Sequence, residues 1–326
     1  MKGIGKFICI AEYRGNPVHS AVHTGITDYL HSEWSLLLFA VIVLLFILAC
    51  LGLRYVQGID ISEEDIEEKG EEDRHQSQYF FVIRELTARE IKRKYARSYL
   101  GIIWSVLNPL LTMAVMSLIF STMFRRAIDN YPIYYLTGSI IWNLFSSATN
   151  AAMTALVDNK SLLLKSKLPK QTFVLSRVYT ALVNFGYTFA AYICMLVVFH
   201  IQPVWTMLLF PIDVLLVLLF AAGISYFLSI AYVFFADIKY LYGILLTLWM
   251  YLSAIFYPAD ALPEIMQAVI SFNPIYLSVY IARECVMYGR MPDYVVWIKL
   301  IAAAGLSFIF GFRFFRRKQN LVMQKL

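Results

Sequence analysis

Asp213 is the one acid in the long apolar run 204–236. A carboxylate at membrane depth is costly, so it is a functional candidate by default. It is expected about two turns below the outer surface, within reach of water or a partner helix, which favours a structural role. Five histidines (His19, His23, His31, His75, His200) are scattered. His200 sits at a turn signal and reads as a polar loop residue rather than a proton carrier. The four cysteines (Cys9, Cys50, Cys194, Cys285) form no CxxC or Cys/His ligand spacing and read as small apolar fillers. There is no GxxxxGK[ST] loop, and no HExxH, GxSxG or DxD-type acid cluster sits near a membrane face. The expected chemistry is therefore recognition, with no catalytic residue, cofactor site or metal site in this chain.

Two residue groups suit recognition. Tyr131, Tyr134, Tyr135, Trp142, Phe145, Phe256, Tyr257, Tyr276 and Tyr280 gather toward one expected membrane face. Flat rings suit the C–H faces of sugars and would let a polymer slide; a plain interfacial aromatic belt is the alternative. Trp142, Phe256, Tyr257 and Tyr276, with Asn108, are the expected path. The second group is DNKSLLLKSKLPK, 158–170. Leu162, Leu163, Leu164 and Leu168 on about two helical turns would fill a partner's groove. Lys165 and Lys167, with Lys170, would set register at its rim. Pro169 would end the helix. The alternative is a loop whose lysines only obey the positive-inside rule.

The elements that must carry these residues are membrane helices. Of 326 residues, 60% are apolar and 15% charged, too few charges to wet a soluble domain of this size. The net charge of +6 is explained by cytoplasmic loops rather than nucleic acid. Uncharged or nearly uncharged runs predict spans at 101–124, 131–157, 178–199, 204–236, 240–257 and 294–315, with an extra span at 34–53. Asn108-Pro109 is expected to kink the first of the six. Segment 258–289 is broken by Pro258, Pro263 and Pro274, so two short re-entrant helices are expected there. Residues 79–99 alternate Phe80, Ile83, Leu86, Ile91 and Tyr95 with Arg84, Arg89, Lys92, Arg93, Lys94 and Arg97. That pattern predicts an interfacial helix, basic side toward headgroups. The division is a 1–56 extension, a 57–78 acidic linker and a 79–326 membrane domain. Basic residues at 84–97, 160–177, 239 and 313–318 place that side, and the C-terminus, in the cytoplasm.

The run 81–121, with Trp104, Asn108 and Pro109, resembles the opening of ABC-2 type export permeases. LLLKSKLPKQTFVLS (162–176), FADIKYLYGILLTLWMYLSAIFYP (235–258) and ISFNPIYLSVYIARECVMYG (270–289) resemble later parts of the same family in order. Within it, the polysaccharide and polyol-phosphate exporters of O-antigen, capsule and teichoic acid are most similar. The resemblance implies an all-α six-span permease core in the cytoplasmic membrane, working as a homodimer. A separate ATPase subunit would bind ATP and Mg, with Arg89, Arg93 and the 158–170 segment forming the docking elements. The cargo would be a lipid-linked polymer. Residues 1–76 and Asp213 depart from the family pattern. An ABC-2 exporter of drugs or lipids is the alternative; an integral membrane enzyme acting on lipid-linked sugars is a further one.

Overall fold

The computed structural model describes residues 71–95, 103–120, 128, 130–165 and 168–325. The expected span at 34–53, the 1–56 extension, most of the acidic linker, Arg97 and Lys167 lie outside the described residues.

Every regular element among the described residues is a helix. In chain order these are α1 (Glu71–Tyr95), α2 (Ile103–Phe120), α3 (Tyr131–Met153), α4 (Ala155–Asp158), α5 (Lys160–Lys165) and α6 (Lys170–Val198). After a 3₁₀ turn at Trp205–Leu209 come α7 (Phe210–Phe234) and α8 (Ile238–Tyr251). A second turn at Ala259–Ala261 leads to α9 (Glu264–Ile270), α10 (Pro274–Val286) and α11 (Tyr294–Lys325). Helix α1 begins inside the expected linker, at Glu71.

Four elements are long and apolar enough to cross a membrane: α2, α6, the 3₁₀ turn with α7, and α11. The other two expected spans differ. Helix α3 has 23 residues, about 35 Å, but falls short of the apolarity of those four elements and is buried on most sides. Helix α8 has only 14 residues, about 21 Å, and the chain leaves the helix at Tyr251 rather than at 257. The carbonyls beyond that point bond elsewhere: Phe256 accepts from the Tyr131 hydroxyl (2.8 Å) and Tyr257 from the Tyr134 hydroxyl (3.0 Å). Ala254 takes a left-handed φ of 48° to aim its carbonyl away from the helix axis. Helices α9 and α10 turn by 93° at their break, and neither is long enough to cross.

That break is built by one amide. Asn273 caps α10, its Oδ1 accepting from the Ile275 backbone N–H (3.0 Å) and from the Trp249 indole N–H (2.8 Å). Its Nδ2 donates to the Leu252 carbonyl and to Ser253 Oγ. Pro274 at the first helical position gives up no bond that the helix needed. Small residues set the tightest crossing, between α7 and α11. A Cβ on Gly311 would overlap the Gly223 carbonyl, and one on Gly223 would overlap the backbone of Ser307. Backbones approach this closely because membrane helices gain little from hydrophobicity and depend on packing.

The bundle has two ends. At one, α1, α4, α5, the start of α6 and the tail of α11 meet, with Lys170 Nζ donating to the Gln319 carbonyl (3.2 Å). At the other lie the start of α3, the 252–258 segment and the α9–α10 pair. The positive-inside rule makes the first end cytoplasmic.

Candidate translocation groove and coupling segment

Between α2, α3, α6, α8 and the end of α1 runs a groove of about 610 Å³. Four amides line it (Asn108, Asn143, Asn150, Asn184), with hydroxyls that include Ser105, Ser147, Thr188 and Thr247. Trp104 and Trp142 supply rings, and Lys94 and Tyr95 of α1 complete the lining. On α3 the spacing of Asn143, Ser147 and Asn150 at i, i+4 and i+7 puts all three on one stripe. All three are exposed, and neither the Asn143 nor the Asn150 side chain is hydrogen-bonded to a described residue. An amide left facing hydrocarbon is costly, so this stripe faces a polar occupant.

Helix α2 is fastened beside the groove by its own proline. Pro109 has no N–H, so the Ser105 carbonyl one turn earlier loses its helical donor. Thr188 of α6 replaces that donor with its hydroxyl (3.2 Å). Tyr95 and Ser105 share a short hydroxyl contact, and Tyr95 also donates to Asn184 Oδ1 at 3.1 Å. Helices α1, α2 and α6 are thereby tied together beside the groove.

Comparison with known proteins gives the family. A family model described as ABC-2 type transporter matches residues 82–286. The chain belongs to the ABC-2 type transporter family. Its relatives include the O-antigen export system permease protein RfbA of Myxococcus xanthus, 31% identical over 219 residues, 66% of this chain and 84% of that protein. RfbA of Klebsiella pneumoniae is 28% identical over 210 residues, 63% of this chain and 80% of that protein. The polysialic acid transport protein KpsM of Escherichia coli is 23% identical over 248 residues, 74% of this chain and 95% of that protein. This permease is a multi-pass protein of the cytoplasmic membrane.

The permease brings some expected path residues together and separates others. Asn108 and Trp142 both line the groove. Phe256, Tyr257 and Tyr276 are absent from its lining and sit in a packed cluster at the outer end. Phe256 is buried and stacks on Tyr135 at 5.7 Å between ring centres. Tyr257 is half-buried, its hydroxyl donating to the Tyr251 carbonyl. Arg283 anchors this cluster. It is buried, lies 3.4 Å over the Tyr134 ring, and donates to the carbonyls of Ala254 (2.9 Å), Ile255 (2.9 Å) and Tyr134. Asp213 is also fully buried, with its Oδ2 accepting from Ser278 Oγ (2.9 Å), so it ties α7 to α10.

Within segment 158–170, Lys160–Lys165 form the short helix α5, and α6 begins at Lys170. Leu162 and Leu164 are exposed, as is Lys165. Leu163, expected on the docking face, is 4% exposed and points into the permease's own core. Residues 162 and 163 lie about 100° apart on a helix, so adjacent leucines cannot all face one partner. Leu168 is half-buried against the core, and Pro169 caps α6 in extended conformation instead of forming part of a docking helix.

Helix α1 also departs from the expected amphipathic pattern. Its buried stripe is polar: Arg84, Thr87 and Glu90. Glu90 accepts from Arg177 of α6 (2.5 Å), and Arg177 reaches Asp158 of α4 (3.0 Å). Arg89 donates to Asn159 Oδ1, beside α5, and the exposed Arg93 pairs with Glu90 at 3.4 Å. Of the two arginines expected to dock a partner, Arg89 fastens α1 to the coupling segment, and Arg93 pairs with Glu90 within α1 itself.

Proposed function

We propose that the permease is the membrane-spanning half of an ABC exporter. It moves a lipid-linked polysaccharide or teichoic-acid-like polymer across the cytoplasmic membrane. A separate ATPase subunit binds ATP and Mg and docks at α5. Two copies of the chain enclose the path, each contributing a groove. The supporting observation is the stripe of exposed, uncommitted amides on α3 within a membrane bundle. Asn side chains both donate and accept, which suits neutral hydroxyl-rich cargo. Trp104 and Trp142 add flat faces for sugar rings. The exposed α5 leucines and Lys165 suit a helix-in-groove contact with the ATPase. The names of the relatives, O-antigen export permease and polysialic acid transport protein, support the cargo class.

The test is a strain lacking the permease. The expected result is loss of a surface polymer with its lipid-linked form held inside, restored by the wild-type chain. A strain with unchanged surface polymers and reduced efflux of a drug or lipid would overturn the reading. Affinity capture of the permease should also recover one ABC ATPase.

A further inference from the structure

We propose that the cytoplasmic end of α11 carries a binding site for an anionic phospholipid of the inner leaflet, its phosphate held by Arg313, Arg316 and Arg317. The inference goes beyond the cargo reading and does not depend on it, since no residue of α11 lines the groove. Helix α11 has two faces. Gly311, Phe315 and Val322, at i, i+4 and i+11, are buried. Gly311 lies against the Gly223 backbone, and the Phe315 ring is 5.1 Å from that of Tyr226. The opposite face is exposed and changes character once. Ile298, Leu306, Ile309 and Phe310 on it are 54–70% exposed. The same stripe then continues as the exposed Arg313, Arg316 and Arg317.

The change falls where a bilayer ends. Arg313 lies roughly 29 Å along the helix axis from Tyr294, about the thickness of the hydrocarbon core. Just beyond the arginines, Lys170 at the start of α6 donates to the Gln319 carbonyl (3.2 Å), which puts them at the cytoplasmic end. Helix α11 contains no acidic residue, and none of the three arginines forms an ion pair with a described residue. Arg316 lies 5.5 Å over the Phe312 ring, a neutral support that leaves its charge uncancelled. Guanidinium forks bind phosphate oxygens in pairs, and the apolar stripe beside them suits the acyl chains. A second copy is a poor occupant, because a twofold axis along the membrane normal would set the same arginines face to face at one depth. A soluble partner would leave the apolar part of the face uncovered.

The test compares phosphatidylglycerol with phosphatidylcholine on the full-length permease in detergent, by native mass spectrometry over a lipid titration. Wild type should hold the anionic lipid about ten-fold more tightly, as charge-assisted hydrogen bonds predict. The triple variant Arg313→Gln, Arg316→Gln, Arg317→Gln should reduce that preference to about two-fold or less. A second triple variant, Lys160→Gln, Lys165→Gln, Lys239→Gln, removes equal charge from exposed positions at the same end and should keep the preference. Equal loss in both overturns the proposal, since net charge alone would then explain it. So does an unchanged preference in the arginine variant. The single exchanges keep the test decisive if the triple variant inserts poorly: at least one must lower the preference, and three unchanged ones overturn the site. Inorganic phosphate should not displace the lipid; displacement would mean a free anion site and overturns the assignment. Loss of ATPase capture with the lipid preference intact would give the stripe to the ATPase instead.

Discussion

A guanidinium buried without a carboxylate has to be satisfied by carbonyls, and Arg283 draws them from two separate stretches of chain, Tyr134 on α3 and Ala254–Ile255 beyond α8. The Ala254 and Ile255 carbonyls are available only because α8 ends early, so cation and helix end depend on each other. Lysine offers a compact ammonium that cannot fork across both stretches. Arg283→Lys and Arg283→Gln should each cost about 3 kcal/mol or more, since buried acceptors are left unpaired. The expected measurement is a clear fall in melting temperature of the purified permease in detergent. Gly138→Ala tests the same site from the other side, because an added Cβ would lie 2.9 Å from the Arg283 guanidinium. Its effect should be smaller, about 1 kcal/mol, because a side-chain tip can shift further than backbone can. Wild-type melting behaviour of Arg283→Lys would show that the carbonyls find other donors.

At the scale of elements, the cytoplasmic end depends on how α1, α4–α5 and α6 are joined. The Glu90–Arg177–Asp158 contacts make that joint, with Arg177 and Glu90 both nearly buried. Arg177→Ala should cost about 3 kcal/mol, because it takes the nearer partner from the buried Glu90 carboxylate and leaves it only the exposed Arg93 at 3.4 Å. The exchange Glu90→Arg with Arg177→Glu should recover part of that loss in the same melting assay, while placing like charges at Asp158 keeps the recovery incomplete. On α5 the two neighbouring leucines should behave differently. Leu164→Asp should reduce ATPase capture and leave the amount of inserted permease unchanged; Leu163→Asp should lower that amount, because it buries a charge in the core. Equal capture by wild type and Leu164→Asp would remove the exposed leucines from the docking surface. Much of this level was legible in the sequence. The order of elements and the Asn-Pro break before α10 follow from charge-free runs and prolines. The polar buried stripe of α1 was not legible: Arg84 fell on the basic face expected toward headgroups, and the partner of Glu90, Arg177, lies far along the chain on α6. The inward Leu163 was hidden for a related reason: a run of three leucines has no periodicity to show which one faces the core.

For the whole molecule, the question is what the exposed sides of the bundle face. Helices α2 and α8 present large apolar side chains, among them Leu118, Leu241, Leu245 and Leu248, which lipid or a second copy can cover. The α3 stripe differs, because no apolar surface satisfies Asn143 and Asn150. The spacing of that stripe was present in the sequence, but the rings of the outer end are the louder signal, and Phe256, Tyr257 and Tyr276 belong to the packed outer cluster. Bulk apolar replacement now distinguishes the two possible roles. If the amides only prop the fold, Asn143→Leu with Asn150→Leu should lower melting temperature and permease level together. They are exposed and unbonded within the described residues, so truncating their hydrogen-bonding capacity removes no internal contact. The leucine pair is therefore expected to insert and melt like wild type and to bind its ATPase. Surface polymer should fall about ten-fold or more, since cargo hydroxyls that desolvate in the groove lose their partners, at about 1–2 kcal/mol for each amide. Asn143→Gln with Asn150→Gln keeps the donors and acceptors and should retain most export. Wild-type surface polymer from the leucine pair, at wild-type permease level, would take the stripe out of the path.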